Sequence, residues 1–184
     1  MTNSDDDVTR WALRARSGDR EALERFVRAT QRDVWRFVAH LADVGVADDL
    51  AQETYARALA SLRGFAGRSS ARTWLLVIAR RVVVDQVRMA RSRPRLSPGA
   101  DWSREADRKA VDAGFEDAVA VNLLLDALDP DRREALVLTQ VLGLSYAEAA
   151  DVVGCPIGTI RSRVARARED LLRATADDTA TDVG

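Results

Sequence analysis

Cysteine, histidine and lysine are almost missing from this chain of 184 residues, which holds one of each: Cys155, His40 and Lys109. A single cysteine forms no internal disulfide, so nothing points to an oxidising compartment. One cysteine and one histidine exclude a zinc centre built from those ligands. No apolar run reaches the roughly 18 residues of a membrane span. The stretch Met1 to Asp7 is polar and acidic, unlike a signal or transit peptide. There is no nucleophile–base pair and no glycine-rich phosphate loop, so no enzyme activity, cofactor or metal is expected. These absences lead to the expectation of a soluble, cytoplasmic protein.

What is present is a globular balance, 47% apolar and 31% charged residues. Alanine is the commonest residue and 27 of the 28 basic residues are arginine, a bias that fits GC-rich coding. The placement of the arginines is therefore more informative than their number. The net charge of −1 hides a strong asymmetry: residues 63–100 carry +8, and the neighbouring residues 101–135 carry −5. A basic block beside an acidic one fits a polyanion site with a segment able to compete for it, and equally a solvated face with a charged linker.

Apolar residues recur at helical spacing almost throughout. Leu23, Phe26, Thr30, Val34, Phe37 and Leu41 predict one amphipathic helix over 20–42. Gly45 breaks it, and a second helix follows over 47–62 with Leu50, Tyr55, Leu59 and Leu62 inward. From 73 to 91 the chain is apolar and then basic. Val82-Val83-Val84 has strand propensity, but Arg81, Asp85 and Arg88 share one helical face and Leu75, Ile78 and Val82 another. Residues 92–100 contain two prolines and a glycine and read as a linker. Helical pattern resumes over 115–128, and Asp129-Pro130 restarts a helix as N-cap and first residue. The expected fold is all-α, with two small helical domains joined by a flexible linker: residues 1–93, a linker 94–115, residues 116–173 and an acidic tail 174–184.

The sharpest local pattern is a helix-turn-helix in 143–172. Ser145 and Glu148 make a capping box. Ala149-Ala150 permits close helix packing, Gly154 suits a left-handed turn, and Pro156 opens the next helix. Ile157, Ile160, Val164, Ala167 and Leu171 form its inward stripe. At about 100° per residue, Ser162, Ala165 and Glu169 face outward, flanked by Arg161 and by Thr159 and Arg166, with Arg163 nearer the buried edge. A small residue between arginines suits the major groove, where Arg pairs bidentately with guanine.

In the first half, Arg63, Arg68, Arg72, Arg80, Arg81, Arg88 and Arg91 are interleaved with Phe65, Ser69, Ser70 and Trp74. Bases stacking on the rings while arginines track phosphates would fit single-stranded nucleic acid. Two core aromatics with arginines around them would fit as well.

Three stretches in this order resemble bacterial sigma factors of the extracytoplasmic-function group, the small initiation subunits of RNA polymerase. They are Ala47 to Leu59 (ADDLAQETYARAL), Thr73 to Arg80 (TWLLVIAR), and Leu144 to Ala150 (LSYAEAA) running on to Gly158 to Arg163 (GTIRSR). Gln31 to Val44 and Ser70 to Trp74 look most like the actinobacterial sigma-C type. The resemblance covers residues 8–173. It implies a promoter-specificity subunit that works only with core polymerase, is a monomer when free and touches no membrane. An anti-sigma protein is a further partner the family allows, though no residue here reveals one.

The resemblance also implies roles. The helix with Asp49, Leu50, Gln52 and Glu53 resembles the segment that docks on the clamp coiled coil of the largest polymerase subunit. Arg68, Ser69, Ser70, Arg72 and Trp74, with Arg80, Arg81 and Arg88 on the following helix, resemble the reader of the −10 element, which captures an unpaired base. Thr159, Arg161, Ser162, Arg163 and Arg166 resemble the −35 reader. The stretch Ala135 to Leu142 resembles the surface for the flap tip of the β subunit, and the acidic linker the segment that threads toward the active centre. Primary sigma factors usually have paired Trp where this chain has Trp74-Leu75, which implies that melting leans on base capture in the loop. Many relatives have Asn at the position of Arg81. A free-standing helix-turn-helix regulator is the competing reading, and it predicts duplex binding without polymerase.

Overall fold

A computed structural model of the chain describes residues 4–92, 122 and 124–181, with side chains described through 89, at 122 and over 124–174. Every element among the described residues is helical: α1 (Asp5–Arg16), α2 (Arg20–Leu41), α3 (Ala47–Ser61), α4 (Ala71–Ser92), α5 (Pro130–Leu136), α6 (Tyr146–Val153) and α7 (Ile157–Thr181). The all-α expectation holds. None of the described helices is long and apolar enough to cross a membrane.

Four helices make the first unit. α2 buries Phe26, Thr30, Val34 and Phe37 of the stripe its spacing predicts, together with Val38, while Leu23 and Leu41 at the two ends of that stripe are half-buried. The Thr30 hydroxyl donates to the Phe26 carbonyl and sits 2.8 Å from the Tyr55 hydroxyl, which burial pushes up to about 12. α3 contributes Leu50, Thr54 and Ala58, and α4 contributes Leu75, Leu76, Ala79, Val82 and Val83. Leu59 differs from expectation: it is 43% exposed, because α3 ends two residues later and the chain turns through a 3-10 segment at Leu62–Gly64. α1 has no counterpart in the sequence reading. Ser4 caps it, accepting from the Asp7 amide, and Val8, Ala12 and Ala15 pack it onto α2.

The second unit is α5–α7. Asp129 caps α5 by accepting from the amides of Asp131 and Arg132, with Pro130 at the first turn. α5 runs into a π-helical turn, Val137–Val141, before Gly143 (φ 70°) reverses the chain. α6 carries the expected capping box: Ser145 Oγ accepts from the Glu148 amide at 3.2 Å, and Glu148 accepts from the Ser145 amide at 2.9 Å. Gly154 ends it at φ 76°, ψ 40°. A Cβ there meets no steric obstacle but would be forced left-handed. Gly154→Ala is therefore expected to destabilise the protein by about 1 kcal/mol, read by urea unfolding. α7 buries Ile160, Val164 and Ala167 as predicted. Ile157 is 40% exposed because it starts the helix ahead of the packed turns.

The two units do not stand apart. α4 packs along α6, and α2 touches α5. The acidic linker over 94–115, the predicted helical stretch 115–121 and the last three residues of the tail lie outside the described residues.

Candidate nucleic-acid and polymerase interfaces

α7 presents its polar side as the spacing requires. Arg161, Ser162, Ala165, Arg166 and Glu169 are exposed while Ile160, Val164 and Ala167 are buried. Ser162 Oγ donates to the Thr159 carbonyl at 2.9 Å, and Thr159 is half-buried. Arg163 is held to Asp131 of α5, so it braces the helix pair instead of standing in the outward row. Arg132 bonds Asp170 and Arg168 donates to Gln140 Oε1 at 2.8 Å, which fixes α7 against α5 and against the π-helical turn that follows it. The outward row is thus mounted on a rigid pair of helices.

The basic block of the first unit is divided by the fold. Arg68 is exposed, and Ser69 and Ser70 are half-buried at the start of α4. Ser70 caps that helix: its hydroxyl accepts from the Thr73 amide at 3.1 Å and lies 2.9 Å from Thr73 Oγ1. Phe65 is 4% exposed and belongs to the core. Trp74 lies half-buried against it, with ring centroids 4.9 Å apart. Arg81 and Arg88 are exposed on α4.

Arg72 and Arg80 are engaged. Arg72 pairs with Asp33 of α2 at 2.6 Å and donates to the Leu142 carbonyl of the second unit. Arg80 is gripped by Glu134 of α5 through two bonds, 2.7 and 3.2 Å, and Glu134 is buried. Sequence reasoning missed Asp33, Glu134 and the Leu142 carbonyl. No local signal marks them, because they lie 39, 54 and 70 residues from their arginines.

On α3, Asp49, Gln52 and Glu53 are exposed on one face. Glu53 pairs with Arg57 at 2.8 Å, and Arg57 reaches Asp85 of α4 at 2.6 Å. Asp48 accepts from Trp35 Nε1 at 2.8 Å. Leu50, grouped with this face from sequence, points the other way: it is 6% exposed and packs in the core. The face that remains is acidic and amide-bearing.

Comparison with known proteins places these features in one family. Residues 26–93 match sigma-70 region 2 and residues 118–171 match sigma-70 region 4. The chain is 58% identical over 181 residues, 98% of both chains, to the ECF RNA polymerase sigma factor SigC of Mycobacterium tuberculosis, and equally to the probable RNA polymerase sigma-C factor of Mycobacterium bovis. It is 39% identical to the sigma factor EcfG of Rhodopseudomonas palustris over 75% of this chain and 76% of that one. Among solved structures it resembles CnrH in complex with the cytosolic domain of CnrY, with TM-score 0.73 and 25% identity over 94% of this chain and 99% of that one. It also resembles RpoE of Bartonella quintana in complex with the anti-sigma factor NepR, with TM-score 0.66 and 28% identity over 82% and 94%. A region 2 and a region 4 in this order, on a helical fold with an exposed arginine row on its helix-turn-helix, belong to an alternative sigma factor: the chain is a member of the extracytoplasmic-function sigma factor family, which directs RNA polymerase to promoters.

Proposed function

We propose that this chain binds core RNA polymerase through the α3 face and reads promoters with two separate surfaces, catalysing nothing itself. The observation that carries the reading is the outward row of α7, Arg161, Ser162, Ala165 and Arg166, exposed on a helix braced by Arg163–Asp131. Residues 116–173 would read the −35 duplex through Thr159, Arg161, Ser162 and Arg166, with Arg163 positioning the helix. Residues 1–93 would read the −10 element through Arg68, Ser69, Ser70, Arg72, Trp74, Arg80, Arg81 and Arg88. Asp49, Gln52 and Glu53 would meet a basic coiled coil of the polymerase. The protein would work in the cytoplasm beside the polymerase. CnrH is seen with the cytosolic domain of CnrY and RpoE with the anti-sigma factor NepR, so an anti-sigma protein is a partner to look for.

The closed arrangement bears on this reading. Arg72 and Arg80 are occupied across the domain boundary while the α3 face is exposed. Core docking then precedes promoter reading, and the free protein is expected to bind promoter DNA weakly.

The test is run-off transcription with actinobacterial core polymerase and fragmented genomic DNA. Discrete new transcripts dependent on this protein are expected, and their 5′ ends would define both promoter elements. No new transcripts, together with no co-elution with core, would sink the reading in favour of a duplex-binding regulator. Trp74→Ala is expected to co-elute normally with core yet open the −10 region poorly, read by permanganate reactivity. Unchanged reactivity would remove Trp74 from the −10 surface.

A further inference from the structure

The two units meet again at the C-terminal end of α2. His40, the sole histidine, is 2% exposed there. Its Nδ1 lies 2.6 Å from Asn122 Oδ1, and Asn122 Nδ2 donates to the Ala39 carbonyl at 2.9 Å. The second bond fixes the amide orientation, so Oδ1 faces the ring and Nδ1 carries the donated hydrogen. Asn122 therefore grips the last turn of α2 twice, from a residue belonging to the other unit.

The surroundings are hostile to a second proton. Arg133 of α5 donates to the same Asn122 Oδ1 at 3.3 Å and is held by Asp126 at 2.7 Å; its Nε is buried without a hydrogen-bond partner. Arg36 lies one turn back on α2. The carboxylates facing this junction are spoken for, Asp126 by Arg133 and Glu134 by Arg80. Burial, and then Arg133 and Arg36, hold the imidazole below its ordinary 6.5, against the opposing pull of the Asn122 bond.

We propose that His40 and Asn122 form a proton-sensitive clasp between the two domains: a proton gained at His40 Nε2 weakens the clasp, favours domain separation and uncovers the α4 surface that carries Arg72 and Arg80. The sign follows from linkage. When the domains part, water reaches the ring and its affinity for a proton returns toward the ordinary value. The open form then takes up the proton first as pH falls. Closure is at full strength above about pH 6.5 and weakens below it. It levels off once the closed form is itself protonated. One proton shifts the equilibrium by at most about tenfold per pH unit.

The consequence for promoter reading rests on the function proposed above, but the clasp does not, so the test reads closure alone. It is small-angle X-ray scattering of the full chain from pH 8 to 5.5 at fixed ionic strength, with helix content followed by circular dichroism. The wild type is expected to expand as pH falls through about 6.5 and below, with helix content constant. His40→Gln, a donor that never charges, is expected to stay compact throughout, and His40→Asn repeats the test should Gln misfit. Asn122→Ala is expected to be expanded already at pH 8. Asp5, which burial raises above 3.8 beside Arg72 and Glu148 at the other contact, is controlled by Asp5→Asn. A wild type compact at every pH, neutral variants that expand like the wild type, or expansion accompanied by loss of helix would each overturn the clasp.

Discussion

Replacing Arg161 and Arg166 together by alanine is expected to abolish −35 dependence while sparing the fold. Both side chains are exposed on the outward face of α7, and neither contributes to its packing. Each lost bidentate base contact removes about 1–3 kcal/mol, so the pair removes about 2–6 kcal/mol of discrimination. Run-off transcription from a matched promoter should fall by about thirtyfold or more. Transcription from a promoter with a scrambled −35 element should barely change. Arg163→Ala is the informative contrast. Because Arg163 is tied to Asp131, its loss should loosen α7 against α5 and lower thermal stability without relaxing preference at any one base pair. Equal promoter discrimination by the wild type and the double variant would remove this row from the −35 surface.

The second large effect is expected at Glu134. Glu134→Ala leaves Arg80 in the closed form without its carboxylate, although Arg80 retains 30% of its exposure and is partly rehydrated. Breaking a buried pair from one side costs about 3–5 kcal/mol, and solvent access at Arg80 reduces this to about 2 kcal/mol here. The closing equilibrium then shifts about thirtyfold toward the open form. Two readouts follow: the radius of gyration of the free protein rises at neutral pH, and its binding to a single-stranded −10 oligonucleotide tightens. Arg80→Ala should open the protein similarly but without the gain in DNA binding, because the same guanidinium is assigned to DNA in the open form. Identical DNA binding by both variants would separate Arg80 from the −10 surface.

These expectations draw unequally on sequence and structure. Most of the helix-turn-helix was legible. The capping box and left-handed Gly154 of its first helix, and the buried positions Ile160, Val164 and Ala167 of its second, are local features, set within one or two helical turns. The stripe of α2 was legible for the same reason. α1 went unread although its signal was there, Ser4 as cap ahead of Val8, Ala12 and Ala15. The acidic run Asp5-Asp6-Asp7 is unlike a signal peptide and is also the first turn of a helix, where negative charge interacts favourably with the helix dipole. Leu59 and Ile157 were misplaced because helix periodicity assigns a face but not where the packed turns of a helix begin and end.

By itself, then, the sequence determined the helices, the two regions and their order, and the family. Periodicity, caps and turn residues act over a few positions and need no partner. Only the tertiary structure decided which arginines stand ready and which are occupied. A guanidinium on a helix surface has the same local pattern whether it awaits a phosphate or holds a carboxylate. Arg72 and Arg161 read alike in sequence, yet Arg72 meets Asp33 and the Leu142 carbonyl while Arg161 faces water. The same holds for His40, whose one amide partner comes from 82 residues away. Charge pairing at such separations is set by how the helices pack, and that information is spread over the whole core.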